Sequence, residues 1–330
     1  MTSRPPLYLD KKTVAACLSE REIYDTVSET LYGLSSGSLV NGPKFGFGVD
    51  MDATHVHMGG VSGCITSSSV AGIKWFTVAH ENPSRNLPRV PATILVCNAE
   101  TGLLEGVLDG TQLTSNRTAA MAIVAASACL RGQAKRMAVV GAGAIGRALV
   151  KLLVMTQQVE HVYVAARRES AARAACDLAA GSVRGQTTLT ATSDVPQAVR
   201  DADVIFTATG VSEDTDLVQS AWLKDGAIVC SLAGQREVDL ELISQAWIVA
   251  DDIQGLRTRR HDFREGGTGF DRIAADVGSV ISGHARPPDN AKRIHLALVG
   301  LGVLDVALGW QAIDHARRRG LGLALESPQE

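Results

Sequence analysis

The chain has 330 residues, 45% hydrophobic and 20% charged, with a formal net charge of -3. That length suits two domains with cores of their own, and the composition is that of a globular enzyme rather than a disordered or fibrous chain. The weak acidity gives no footing for nucleic acid or an anionic membrane as partner, and no apolar run approaches the roughly 18 residues that span a bilayer.

The opening residues MTSRPP lack an apolar signal-peptide core, so a cytoplasmic location is expected. Residues 10–35 read as helical, with Asp10 or Ser19 as caps. Residues 44–97 read as strands separated by turns; the stretches 55–58, 72–78 and 92–97 are short, apolar and β-branched. Residues 98–102 form a hairpin turn. Residues 113–130 open with hydroxyl and amide caps and continue as an alanine-rich helix, and 131–135 is expected to be a domain junction. From Arg136 the rhythm changes. Strands are expected at 137–141, 161–165, 203–207, 227–232 and 247–250, with helical patterns between most of them. That alternation predicts a parallel, doubly wound sheet. The segment 255–290 is charged and glycine-containing with helical pieces. A late strand follows at 293–299, then a final helix at 301–319 that can cross back to the first domain. Cys17, Cys64, Cys97, Cys129, Cys176 and Cys230 form no CxxC pair and no zinc spacing, so reduced, buried thiols and no metal are expected.

One stretch carries the chemistry. Residues 137–150 read MAVVGAGAIGRALV, an apolar run into Gly141-x-Gly143-x-x-Gly146 followed by a helical pattern. The first glycine allows a tight turn, the second a close approach to a pyrophosphate, and the third close helix–strand packing. Ala144 and Ile145 lie at the helix N-terminus that would face the phosphates. A nicotinamide cofactor is expected. The next strand ends at Ala166-Arg167-Arg168, where an NAD site has an acidic residue for the ribose hydroxyls. Two guanidinium groups suit a 2′-phosphate instead, which favours NADPH over NADH. The small-residue strand ends at Thr207–Ala208 and Ser231–Leu232 are further candidates for contact with the cofactor.

The whole chain resembles the ornithine cyclodeaminase/mu-crystallin family. The resemblance is carried by Gly72-Ile-Lys-Trp75, Asn86-Leu-Pro-Arg-Val90, Ala99-Glu-Thr-Gly102, the block DGTQLTSNRTAA at 109–120, the glycine loop and Gly302-Val-Leu-Asp305. It implies an α/β fold: a Rossmann doubly wound domain plus an α/β substrate-binding and dimerisation domain. The expected bounds are 1–130, completed by the C-terminal helix at about 303–330, and 131–302. It implies an NAD(P)-dependent enzyme acting on amino acids, imino acids or cyclic imines, working as a homodimer. By the same resemblance Lys74 and Arg117 are the catalytic residues that hold the substrate carboxylate. Lys44 falls where the family often has a carboxylate-binding arginine. Thr114, and Val299 and Gly300 at the end of the late strand, join the residues expected to contact the cofactor, as does Arg117.

Two departures shape the functional expectation. Cyclodeaminases of the family carry an aspartate where this chain has Gln235, and an amide is no general base near neutral pH. Glu237 or Asp239 can take that role in a shifted loop, or be exposed helix-cap acids. Arg89 stands where many relatives have a small hydroxyl residue; it favours a second acidic group on the substrate, or pairs with Glu81 or Glu100. His57 is a weaker candidate proton donor. The mu-crystallin branch also lacks the aspartate and is associated with ketimine reduction. The leading expectation is therefore an NADPH-dependent reductase of an α-imino acid, or reversibly an amino-acid dehydrogenase. Ornithine-type deaminating cyclisation and non-catalytic binding of NADPH with a small ligand are the alternatives.

Overall fold

The computed structural model describes residues 4–34, 37–51, 54–183, 185–211, 213–234 and 236–326. Along the chain come β1 (Leu7–Leu9), α1 (Lys11–Cys17), α2 (Glu20–Gly33), β2 (Leu39–Asn41), β3 (Phe45–Met51), β4 (Thr54–Ile65), β5 (Val70–Ala79), β6 (Ala92–Asn98), β7 (Leu104–Asp109) and α3 (Thr111–Cys129). The expected helix at 10–35 is two helices. Asp10 caps α1, and Ser19 with Glu22 forms a capping box on α2, so both candidate caps are used.

The chain divides into two units, 1–117 with 301–330, and 118–300. The first division falls inside α3, after Arg117, and not in the expected junction at 131–135. The helix is uninterrupted there because its alanines bury on every side, which leaves no polar face to mark a boundary.

In the first unit one sheet runs β16-β1-β7-β6-β5-β4-β2, with β3 also paired to β4; β16 is Leu323–Ala324. β4, β5 and β6 are antiparallel in unbroken register, with Val61 opposite Lys74 and Lys74 opposite Ile94. The late helix, Gly302–Arg319, lies on this sheet. Close approach requires glycine: a Cβ on Gly63 would sit 2.5 Å from Val303 Cα, and one on Gly302 would sit 2.4 Å from the Ser62 carbonyl oxygen.

The second unit contains β8 (Arg136–Val140), α4 (Ala144–Thr156), β9 (His161–Ala165), α5 (Glu169–Ala180), β10 (Thr188–Thr192), α6 (Val195–Val199), β11 (Val204–Thr207), β12 (Ala227–Ser231), α7 (Leu240–Gln245), β13 (Trp247–Ala250), α8 (Ile253–Arg259), β14 (Ile273–Asp276), α9 (Val277–Ile281) and β15 (Arg293–Ala297), so the late helix is α10. Its sheet runs β10-β9-β8-β11-β12-β15-β13-β14 with every pairing parallel. The strand order reverses between β8 and β11, the point at which doubly wound sheets open a ligand crevice. Both faces are covered, and Ile205, Val229, Leu242, Ile248 and Phe263 bury fully in the core. The α/β fold class with a doubly wound domain is thus present. Strands β10 and β14, on the two sheet edges, escaped the sequence reading: Thr188-Leu-Thr-Ala-Thr192 is half polar and lacks a buried-strand pattern.

Candidate active site

The first unit buries three charged side chains together. Lys74 is 2% exposed, Arg117 5% and Asp305 0%. Lys74 sits mid-strand on β5, Arg117 in the opening turns of α3, and Asp305 in the first turn of α10. Lys74 Nζ donates to Asp305 Oδ1 at 2.9 Å and lies 2.9 Å from Oδ2. Arg117 Nε donates to Oδ1 at 3.1 Å. Burial works against an ionised Asp305, yet Arg117 and Lys74 hold its carboxyl below the usual range. Lys74 is pushed down to about 8, chiefly by burial and then by Arg117, with Asp305 opposing. Two buried cations share one anion, so the cluster carries an excess positive charge. A buried charge without a partner is costly, and a ligand carboxylate is the group that would complete the balance.

In the sequence Asp305 stands out only as the end of the family segment Gly302-Val-Leu-Asp305. Its signal was available: an acid between Leu304 and Val306 on a helix whose first two turns are buried needs a buried partner. Lys44 shares an aromatic neighbour with Lys74. Its Nζ is 5.6 Å from the Phe76 ring centroid, and Lys74 Nζ is 5.9 Å from the same centroid. Thr114 donates to the Gly110 carbonyl at 2.7 Å. Arg89 bonds neither Glu81 nor Glu100: its guanidinium is 2.5 Å from His80 Nδ1, while Glu100 accepts from Ser69 at 2.6 Å.

The second unit gathers the glycine loop and the strand ends. Gly141 follows β8 with φ +115°, where a Cβ would lie 2.5 Å from the Ala208 carbonyl oxygen after β11. Gly146 permits no side chain, since a Cβ would meet the Gly141 oxygen at 1.8 Å. Gly143 caps α4 in extended conformation with open space at its Cβ position, and Ala144 behind it is exposed. The bare helix N-terminus therefore fits a pyrophosphate, and these residues fit a dinucleotide. Ala166 directly follows β9, and Arg167 and Arg168 are exposed just before α5.

Some expected cofactor contacts are turned inward. Thr207 is fully buried, and its hydroxyl donates to Glu237 at 2.7 Å. Ser231 is 1% exposed, with its hydroxyl 3.1 Å from His295 Nε2. A ligand would meet the following residues, Ala208 and Leu232, sooner than either hydroxyl. Glu237 is not an exposed cap: it is fully buried, accepts from the Thr209 amide at 2.8 Å and from its hydroxyl, and burial raises its carboxyl. Asp239 does cap α7, accepting from Leu242 N at 2.9 Å and Ser220 N at 2.8 Å. Gln235 lies outside the described residues. Asp251, after β13, accepts from Val299 N at 2.9 Å and Gly300 N at 2.6 Å, and Gly300 turns at φ +92°. No helix among the described residues is long and apolar enough to cross a membrane.

A family profile described as the ornithine cyclodeaminase/mu-crystallin family matches residues 9–320. The nodulation efficiency protein NfeD of Rhizobium meliloti is 28% identical over 322 residues, 96% of this chain and 98% of that protein. A Delta(1)-pyrroline-2-carboxylate reductase of Paracoccus denitrificans is 32% identical over 185 residues, 54% of this chain and 57% of that one. Among solved structures, the Thermococcus litoralis Delta(1)-pyrroline-2-carboxylate reductase in complex with NADH and L-proline superposes with a TM-score of 0.85 at 21% identity, covering 97% of this chain and all of that chain.

Proposed function

The chain belongs to the ornithine cyclodeaminase/mu-crystallin family, and from that premise we propose that it is a cytoplasmic NADPH-dependent reductase of the C=N bond of an α-imino acid, reversibly an amino-acid dehydrogenase. The observation that carries this reading is the buried cluster in which Lys74 and Arg117 share Asp305. The substrate α-carboxylate supplies the missing negative charge, with Lys44 alongside. Held there, the neighbouring imine carbon is fixed in position, and positioning supplies much of the rate of such a reaction. The reduced nicotinamide, when bound, supplies the hydride. Gly141, Gly143, Ala144, Ile145 and Gly146 would hold its pyrophosphate, and Ala208, Leu232, Val299 and Gly300, at the strand ends, would be the further residues in contact with it.

Deaminating cyclisation needs a base near the substrate. Glu237 is buried against Thr207 and Thr209, and Asp239 is spent on a helix cap, which favours net reduction. The test is an NADPH-oxidation screen over α-keto acids with ammonia or amines, and over preformed cyclic imines. Release of ammonia and proline from L-ornithine with no net NADPH change would overturn the reductase reading. A homodimer is part of the proposal: Phe45 and Phe47, 49% and 50% exposed, lie beside the half-exposed Trp75 on the outer face of the first sheet, an apolar strip beside an edge strand.

Two predictions arise here. Arg167 and Arg168 are exposed and available to a 2′-phosphate. Replacing both with Ala is expected to lower kcat/KM for NADPH roughly tenfold or more while NADH is used as before, since hydrogen bonds to charged groups carry about 1.5–3 kcal/mol. An unchanged NADPH/NADH ratio would reassign the pair to the solvated surface. The second concerns pH. Lys74 falls to about 8, and its cation is present below that value and lost above it. kcat/KM, which reports the free enzyme, is expected to fall as pH rises through about 8. Lys74→Arg, which stays charged, should lose that limb whatever activity it retains.

A further inference from the structure

Imine reduction by the residues named so far makes no use of one buried acid in the second unit. Glu237 follows β12 and is fully buried. Its Oε2 accepts from the Thr207 hydroxyl at 2.7 Å, and its Oε1 accepts from the Thr209 amide at 2.8 Å and from the Thr209 hydroxyl. The Ala233 amide bonds it as well. The carboxyl thus brackets Ala208, whose carbonyl lies against Gly141 of the glycine loop. The segments after β11 and β12 are tied a second time, by the Leu232 amide donating to the Thr207 carbonyl at 3.0 Å. Among the described residues, the groups that bond the Glu237 carboxyl are all neutral donors. The adjacent guanidinium of Arg236 turns to Asp214 and Asp216 instead, and Arg259 is set against Asp251. On β12 the Cys230 thiol is fully buried, and burial keeps it protonated. Burial likewise pushes the Glu237 carboxyl above its ordinary value, with the hydrogen bonds opposing.

An anion held by neutral donors alone keeps its field, and a low-dielectric surrounding transmits that field further than water does. Its place in the sheet decides what feels it. A dinucleotide crosses the switch point between β8 and β11 with its adenosine ribose at the end of the second strand, here β9, so its nicotinamide half belongs on the β11–β12 side. The oxidised nicotinamide ring carries a positive charge and the reduced ring carries none. We propose that Glu237 is a fixed negative charge on the nicotinamide side of the cofactor crevice, which favours the oxidised coenzyme over the reduced one and so assists hydride departure. It acts across the Thr207–Thr209 segment through its field, without contact. When a hydride passes to the carbon of a protonated imine, the C=N π pair returns to nitrogen as a lone pair and the positive charge passes to the ring. A carboxylate already in place stabilises that charge with no reorganisation. The inference rests on the nicotinamide reading of the glycine loop.

The test is calorimetric and needs no turnover. Kd is measured for NADP+ and NADPH, and for NAD+ and NADH, with the wild-type protein, Glu237→Gln and Glu237→Asp. Glu237→Gln is expected to weaken the oxidised form relative to the reduced form by about three- to tenfold, the scale of one unit charge acting through a partly screened interior. Glu237→Asp, which keeps the charge on a shorter stem, should retain most of the wild-type ratio even where both forms bind more weakly. A purely structural role moves both forms together and leaves the ratio alone. A further arm uses wild-type protein only: as pH falls through the raised range of Glu237, the oxidised-to-reduced preference should drift towards the Glu237→Gln value. The 2′-phosphate titrates in both forms and cancels. A ratio unmoved by Glu237→Gln, a shift of equal size in Glu237→Asp, or a wild-type ratio flat into the acid range overturns the inference. If neither coenzyme pair binds, the nicotinamide reading falls and the inference with it; if a pair binds and its ratio does not move, the inference falls alone.

Discussion

Lys74→Ala is expected to lower kcat/KM about a hundredfold to a thousandfold, because removing one partner of a buried, hydrogen-bonded charge pair costs about 2–5 kcal/mol. The substitution removes the excess positive charge on which the proposed carboxylate grip depends. What remains is Arg117 with Asp305, one cation balanced by one anion. The variant should therefore fold well while failing to turn over: a cavity forms next to Phe76 and Ile94, but no buried charge is orphaned. Steady-state kinetics with any imine the wild-type enzyme reduces, alongside a denaturation curve, checks both halves. Turnover within a few-fold of wild type would take Lys74 out of the chemistry.

Asp305→Asn is expected to do the reverse and damage the fold. Two buried cations then face each other with no anion, and breaking a buried ion pair from one side costs about 3–5 kcal/mol. Lys74 offers partial relief, since it sheds its proton more readily than an ordinary lysine. Its folded pKa then lies further below its unfolded value. The unfolded state binds more protons over that window, so stability rises with pH there. The deficit should be wide where the variant's Lys74 is still charged, narrow as pH rises towards about 8, and stay level above that, where the wild-type lysine sheds its proton too. Denaturant titration at several pH values, following the transition of the first unit, reads it. A deficit independent of pH would mean that Lys74 is not the group that yields.

Much of the architecture was legible because its signals are local. Ser19-x-x-Glu22 announces a helix start through two reciprocal hydrogen bonds, and Gly141-x-Gly143-x-x-Gly146 announces strand, turn and helix through sterics that tolerate no Cβ at Gly146. Edge strands were harder. β10 is half polar because it has one neighbour, so its pattern does not separate it from a loop. Within the site, Lys74 and Arg117 were visible through family resemblance, and their mutual arrangement was not. It depends on Asp305, 231 and 188 residues away in sequence, and an aspartate near a helix start is ordinarily read as a helix-end charge. The inward turn of Thr207 was equally hidden, because Glu237 reaches it from 30 residues downstream.

The route of the chain through the first unit bears on how the protein is made. Residues 1–117 are synthesised before the second unit and carry both cations, but the acid that satisfies them arrives only with residue 305, after the whole second unit has been synthesised. Domains fold as units during synthesis. The second unit can therefore complete itself on the nascent chain, while the first unit waits for α10 to cover its sheet and quench its charge. The synthesis of α10 sets the moment at which the buried cluster of Lys74, Arg117 and Asp305 first exists.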